Sequence, residues 1–524
     1  MDKITSFAPL SGDALLRLFF SPAPILTILG IWVASHVIKA IYNISPFHPL
    51  HRFPGNKVAA ATYAYEAYYD WIQVGRYGKR IAAMHEKYGP IIRINPDELH
   101  CADPYFVDEI YTSSPSRIRD KWQHQVNTGG SGPVMVTAFS TVPHELHRSR
   151  RQPFSRFFSR QQMLKLESEV LDFASMTVEK LLRFSGKGPF DIKEAFNCFT
   201  ADVISQYAFG HSMGFVSNQE GWEPNLAIWT SSFFKSAYMM RHNWIARSMA
   251  QFLPFIADYL GDDVKAVMHQ MNVVIPGYVK SAIDDPDNGR VFADLMKDRE
   301  MDNGEMSMVR LAGEGFNFLL AGTETTGATL TVITYHLLAS PKIYARLMQD
   351  LQGMTPESLR WVELEQKPYH WAVIQEAVRM MPGVSHRSAR RCRDEDLVYR
   401  SQDGKIEMVI PRGTPIGMTS MIQHWNSDLF PEPDKYMPER WLLEDGSPNY
   451  KLQKYMLAFG KGHRVCIGEN LAYCELYLMS ALIALRLIPR TTLYETTIED
   501  LTYDHDMIVA QTKKGSVSVK VQIE

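Results

Sequence analysis

Cysteine is scarce in this chain, with five residues in 524 (Cys101, Cys198, Cys392, Cys466 and Cys474). That is too few and too scattered for a disulfide framework or a Cys-x-x-Cys zinc site, and a reducing, cytosol-facing compartment fits. Runs of like charge and basic clusters are also missing, and the formal net charge is only -3, so no feature directs the chain to nucleic acid. What it has in quantity is apolar: 45% of residues are hydrophobic against 22% charged, enough for an ample core. Length alone suggests roughly three domains.

The amino end divides into a short segment at 1–20, a transmembrane anchor at 21–42 and a proline-rich hinge at 43–55, followed by one catalytic domain at 56–524. The run from Ile25 to Tyr42 is mostly apolar up to Lys39, apart from His36. A span takes about 20 such residues, so a cleaved signal peptide and an interfacial helix compete with a true anchor. No small-x-small cleavage site precedes a cysteine-rich domain, and Lys39 and Arg52 place the positive flank after the helix. The catalytic part is therefore expected in the cytosol.

Further along, Tyr77–Tyr88 is amphipathic and stops at Gly89-Pro90, and Ile91–Pro96 reads as a strand closed by proline. Residues 113–143 hold no helical period and read as a loop over a pocket. Met308–Ser340 reads as one long buried helix, apolar on more than one face and ended by Pro341. In its middle stands Ala321-Gly322-Thr323-Glu324-Thr325-Thr326, where a glycine, an acid and three threonines contradict the buried environment. Such conflicts mark functional sites more often than structural ones. Near the other end, Phe459-Gly460-Lys461-Gly462-His463-Arg464-Val465-Cys466-Ile467-Gly468 places a cysteine just before a helix N-terminus, a position that favours its thiolate.

This last stretch carries the whole F-x-x-G-x-R-x-C-x-G pattern, and with the Ala-Gly-x-Glu-Thr-Thr segment it resembles the cytochrome P-450 family of haem-thiolate monooxygenases. Met84–His100 is also similar to the fungal secondary-metabolism branch that includes trichodiene oxygenase. The resemblance implies a mainly α fold with a small β lobe, haem b on Cys466, and a cradle in which Phe459, Gly460 and Gly468 shape the loop and Arg464 meets a propionate. It implies further propionate contacts from His144 and Arg148, one turn apart on a helix, and from Arg387 or Arg390, between which the sequence does not choose. Thr325 would hold a water near bound oxygen, Glu324 would feed protons to it, and Gly322 would leave a groove for the diatomic ligand. Glu376, Arg379 and Arg440 would form a structural network beneath the haem.

Electrons would come from NADPH through NADPH-cytochrome P-450 reductase, docked near Lys454, Lys461, His463 and Arg464, with cytochrome b5 as a further donor. The expected location is the endoplasmic reticulum membrane, single-pass, and the expected substrate a hydrophobic secondary metabolite, a terpenoid before a polyketide or alkaloid. Its contacts are expected in 113–143, around Phe233 to Trp244, at Phe316 and Phe318, and near Met507 and Ile508. A haem-thiolate isomerase or dehydratase would need no proton relay, and a haem sensor no enclosed apolar cavity.

Overall fold

A computed structural model describes residues 22–222, 225–285, 287, 290–297, 305–515 and 517–524, so the segment expected at 1–20 lies outside the described residues. Helix α1 (Pro22–Ile44) projects from the body. Its stretch Pro24–Ile44 has a mean hydropathy of 1.7 and is exposed over nearly all its length, with Asn43 buried near its end, and it is long and apolar enough to cross a membrane. The last turn of α1 and the segment that follows are seated rather than free. Arg93, on strand β1 (Ile91–Arg93), donates to the Asn43 carbonyl at 2.8 Å and lies 3.3 Å from His48 Nε2, while Leu50 is buried.

Helix α2 (Tyr77–Tyr88) ends at Gly89, whose φ of +97° no β-carbon-bearing residue adopts easily. Strand β1 then opens a sheet with β2 (Leu99–Cys101), β3 (Asp120–Lys121), β4 (Arg390–Arg391) and β5 (Pro415–Gly417), in spatial order β1-β2-β5-β4-β3. The stretch 113–143 is mostly irregular, yet β3 pairs antiparallel with β4, and short turns at Gln123–Val126 and Pro133–Val136 interrupt it.

The helical body is built on α3 (His144–Ser155), α4 (Arg160–Leu182), α5 (Ile192–Phe209), α6 (Asn225–His242), α7 (Met308–Ala339), α8 (Pro368–Met380) and α9 (Glu469–Leu482). α7 is buried on nearly every face, because its apolar residues run around the helix rather than along one stripe. Glycine brings α5 against it. A β-carbon at Gly327 would lie 2.1 Å from Asn197 Oδ1, and one at Gly322 would lie 3.2 Å from Ile204 Cγ1. The stretch Glu469–Arg490, which opens with α9, is equally apolar but 78% buried, which makes it part of the core.

Candidate active site

The loop before α9 turns through Gly460 and Gly462, at φ +67° and +69°. Gly462 is also a close approach, since a β-carbon there would stand 2.3 Å from the Tyr111 carbonyl oxygen. The Cys466 amide donates to the Phe459 carbonyl at 2.8 Å, closing the loop, and Phe459 itself leans on Tyr473 with ring centroids 5.2 Å apart. Cys466 is accessible at its surface although protein encloses it, so its sulfur opens onto internal space. Burial pushes its thiol pKa up, while the Gly468 amide and the Arg151 guanidinium pull it down. A side chain at Gly468 would meet no protein atom within 4 Å, so the room beside it is reserved for something other than the chain.

Around this space stand cations with little to neutralise them. Arg464 donates to the carbonyls of Thr141 (2.6 Å) and Val142 (2.8 Å), its Nε has no partner, and burial with Arg390 and Arg151 nearby lowers its pKa to about 9. Lys121 is depressed by burial and by Arg464 and Arg390, and Arg390 is itself lowered by burial. Among the described residues the acid that acts on Arg464 is Asp120, which also pairs with Arg393 at 3.2 Å. Buried cations in such excess require a multiply charged anion. The two carboxylates of a haem, beside a thiol that can ligate its iron, fit that requirement.

The structure corrects the helix contribution. Arg148 lies on the exposed face of α3, so it does not reach the space expected of it. His147 and Arg151, one register later, point inward. His147 is buried and pushed down to about 2 by burial and by Arg464, Lys121 and Arg151, and Arg151 faces Cys466. The missed signal was helical phase, because His147, Arg151, Phe154 and Phe158 recur at the spacing of one face. His144 is buried with its ring edge on His463, centroids 4.6 Å apart, and its Nδ1 without a partner.

Of the two strand arginines, Arg390 adjoins Arg464 and Lys121. Arg387 is instead spent on carboxylates: Glu66, Asp70 at 3.3 Å and Glu98 at 3.7 Å. His124 Nε2 lies 2.9 Å from Glu66 and His242 Nε2 3.5 Å from Asp70, which gives that cluster the ligand types of a metal site. Its charge is already met, because Arg241 bonds Asp70 at 3.0 Å and, with Arg387, balances Glu66 and Asp70, while burial pushes the third carboxyl, Glu98, up to about 7. A divalent cation would add uncompensated charge.

On α7, Thr325 Oγ1 donates to the Ala321 carbonyl at 2.9 Å. Ala321 is exposed in the middle of this buried helix, so 321 and 325, one turn apart, face the internal space. Glu324, a third of a turn away, points to α5, where Lys193 Nζ stands 2.5 Å from Oε1 and Asn197 Nδ2 donates to Oε2 at 3.3 Å. Gly322 is a second correction. Its missing side chain faces Ile204, so it serves the approach of α5 rather than an oxygen groove. Glu475 on α9, unremarked in the sequence, is buried, bonded by Thr326 and pushed well above an ordinary carboxyl.

Beneath the loop, Arg379 grips Glu376 with two bonds of 2.8 Å, and Arg440 Nε and Trp441 Nε1 donate to the same carboxylate at 3.0 and 2.9 Å. Arg379 also donates to the carbonyls of His424 and Pro433 at 2.8 and 2.9 Å. Among the residues expected at a substrate, Phe316 meets Phe233 with centroids 5.4 Å apart, whereas Phe318 joins Phe154, Phe158 and Phe292 in the core. Ile508 holds φ at +73°, a strained value for a β-branched residue, and its carbonyl accepts from the amides of Ser385 (3.0 Å) and His386 (3.3 Å).

Residues 68–518 match the cytochrome P450 family. Similar proteins include cytochrome P450 monooxygenase ppzE of Metarhizium majus, 37% identical over 81% of this chain and 92% of that protein. Cytochrome P450 monooxygenase tpcC of Cochliobolus heterostrophus is 33% identical over 91% and 92%, and oblB of Emericella variicolor 33% over 98% and 94%.

Proposed function

The chain belongs to the cytochrome P450 family and is a monooxygenase, and from that premise we propose that it hydroxylates or otherwise oxygenates a hydrophobic secondary metabolite, a terpenoid before other classes, with NADPH electrons delivered through a flavoprotein reductase. The observation that carries the haem assignment is the unneutralised set of cations Arg464, Arg390, Lys121 and Arg151 around an inward-opening Cys466. Cys466 would ligate the iron, and the cations would hold the propionates. Haem, when bound, activates dioxygen and passes one of its atoms to the substrate.

The chain's own residues do the rest. The Gly468 amide and Arg151 offset part of the burial that favours the neutral thiol, and ligation to the iron would take the proton off the sulfur. Thr325 presents a hydroxyl to the reacting side and can hold a water there, while Glu324 carries protons toward it from behind the helix. Apolar walls around Phe233 and Phe316 keep bulk water out and orient a C–H bond.

The membrane reading rests on two features. α1 is one, and the other is an exposed apolar patch just past α6, where Trp244, Phe255 and Tyr259 are 69%, 80% and 88% exposed. Both support a body seated on a bilayer, where an apolar substrate would enter from the lipid side. Two experiments test the proposal. Reduced, carbon-monoxide-treated protein should give the thiolate absorption band, and Cys466→Ala should lose it. Cells expressing the chain with a reductase should convert at least one member of a terpene panel to a product 16 mass units heavier. An unchanged band in Cys466→Ala would end the haem-thiolate reading.

A further inference from the structure

Lys193 has no place in any role assigned above, and its position conflicts with local rules. It is in the first turn of α5, one residue after the helix begins, where the helix's own positive end disfavours a cation. Its side chain is only 7% exposed, and burying an ion pair costs several kcal/mol per ion in desolvation. An apolar residue there would serve stability as well. Among the described residues its ion-pair partner is Glu324, at 2.5 Å.

The surroundings prepare that contact. Asp191 caps α5 and fixes the turn that carries Lys193, its carboxylate accepting from the Lys193 amide at 3.0 Å. Gly327 leaves the space that Asn197 occupies, and Asn197 supplies Glu324 with its second donor while its own Oδ1 stays unpartnered. On the surface side, α5 is preceded by the largely exposed loop Gly186–Pro189. On the inner side, a cavity of about 10 Å³ lies among Glu324, Thr325, Ala328 and Met381–Gly383, room for one water. Lys193, Glu324, that cavity and Thr325 are thus successive neighbours, with the slightly exposed Lys193 side chain at the outer end.

Resting on the reading of Glu324 as proton carrier, we propose that Lys193 is the positioning residue that holds Glu324 on the α5 side and recharges it. The Lys193 ammonium gives a proton to the Glu324 carboxylate, leaving a neutral amine and a neutral acid. The acid passes that proton through the cavity water toward Thr325, and the amine takes its replacement from solvent at the Gly186–Pro189 side. No electron moves in these steps, and one solvent proton enters for each proton delivered.

The test uses the haem-loaded full chain with reductase and NADPH. Lys193→Met removes both functions. Lys193→Arg keeps a cation that holds Glu324 in place but does not release protons at working pH. Both variants should form product roughly 10²-fold more slowly, the lower end of what a positioned proton donor contributes, with NADPH oxidation diverted to hydrogen peroxide and a larger solvent deuterium isotope effect. A readout independent of turnover is the infrared carbonyl stretch of a protonated carboxyl. In difference spectra against the parent, which cancel the stretches of Glu475 and Glu314, an additional band should appear in Lys193→Met, where Glu324 loses its cation, and be absent from Lys193→Met/Glu324→Gln and from Lys193→Arg. Product formation in Lys193→Arg equal to the parent would overturn the inference. Glu324→Gln separates the levels. If it is impaired while both Lys193 variants are not, only the lysine's role falls, and if it is itself unimpaired, the proton-carrier reading falls too.

Discussion

Removing the charge of Glu376 should be among the most damaging single substitutions in the body. Its carboxylate takes four side-chain donors' bonds from Arg379, Arg440 and Trp441, and a fifth from the Met437 amide at 2.9 Å. Glu376 and Arg379 are wholly buried and Arg440 nearly so. Glu376→Gln keeps the shape but leaves two buried guanidiniums facing one neutral amide. Breaking a buried ion pair this way costs about 3 to 5 kcal/mol. At about 2.1 cal/mol/K per residue, 524 residues unfold with roughly 1.1 kcal/mol/K of entropy, so Tm should fall by about 3 to 5 °C. Glu439→Gln is the matched control, one residue before Arg440 in the chain. Its carboxylate is 41% exposed and meets Arg346 at 3.2 Å, so its loss should cost under about 1 kcal/mol. Far-UV circular dichroism through thermal and denaturant unfolding compares the two, and equal losses would refute the reasoning that burial sets the cost.

Arg151→Ala should weaken haem retention on gel filtration, while Arg148→Ala leaves it unchanged. Gly327→Ala should destabilise more than Gly322→Ala in urea melts. The first drives a β-carbon into Asn197, whereas the second needs Ile204 to give by a few tenths of an ångström and recovers up to about 1 kcal/mol of helix propensity. Burial raises the Glu314 carboxyl to about 7, above its unfolded value of 4.5. The native state therefore holds a proton the unfolded chain gives up, and stability present below about pH 4.5 is lost as pH rises toward 7, by roughly 3 kcal/mol. Glu314→Gln should flatten that part of the stability profile, as denaturant midpoints across pH would show.

Elements closed by local chemistry were legible in advance. Gly89-Pro90 ends α2 where expected, and Pro341 bounds α7 to within one residue. Cys466 and its glycines could be read because one loop carries the whole requirement. What escaped depended on partners far along the chain. β3 is a two-residue strand, too short for any alternation, and exists only through β4. The three-residue offset on α3 arose because His144 and Arg148 satisfy the same spacing as His147 and Arg151, and only the phase of the following phenylalanines separates them. Gly322 was assigned by what it lacks, and nothing within α7 says that Ile204 fills that side. Arg387 and Arg390 alternate along an extended segment, so which one meets Glu66 is decided by residues more than three hundred positions earlier.

The grip of Arg93 on the last turn of α1 turns what would be a tether into a bracket. Whatever medium holds that helix, the catalytic body inherits a fixed tilt from its sheet instead of swinging on a flexible stalk. Inserting glycines between Ile44 and His48 would leave the protein attached yet free to roll. The orientation of its apolar rim, and not attachment as such, would then be what is lost.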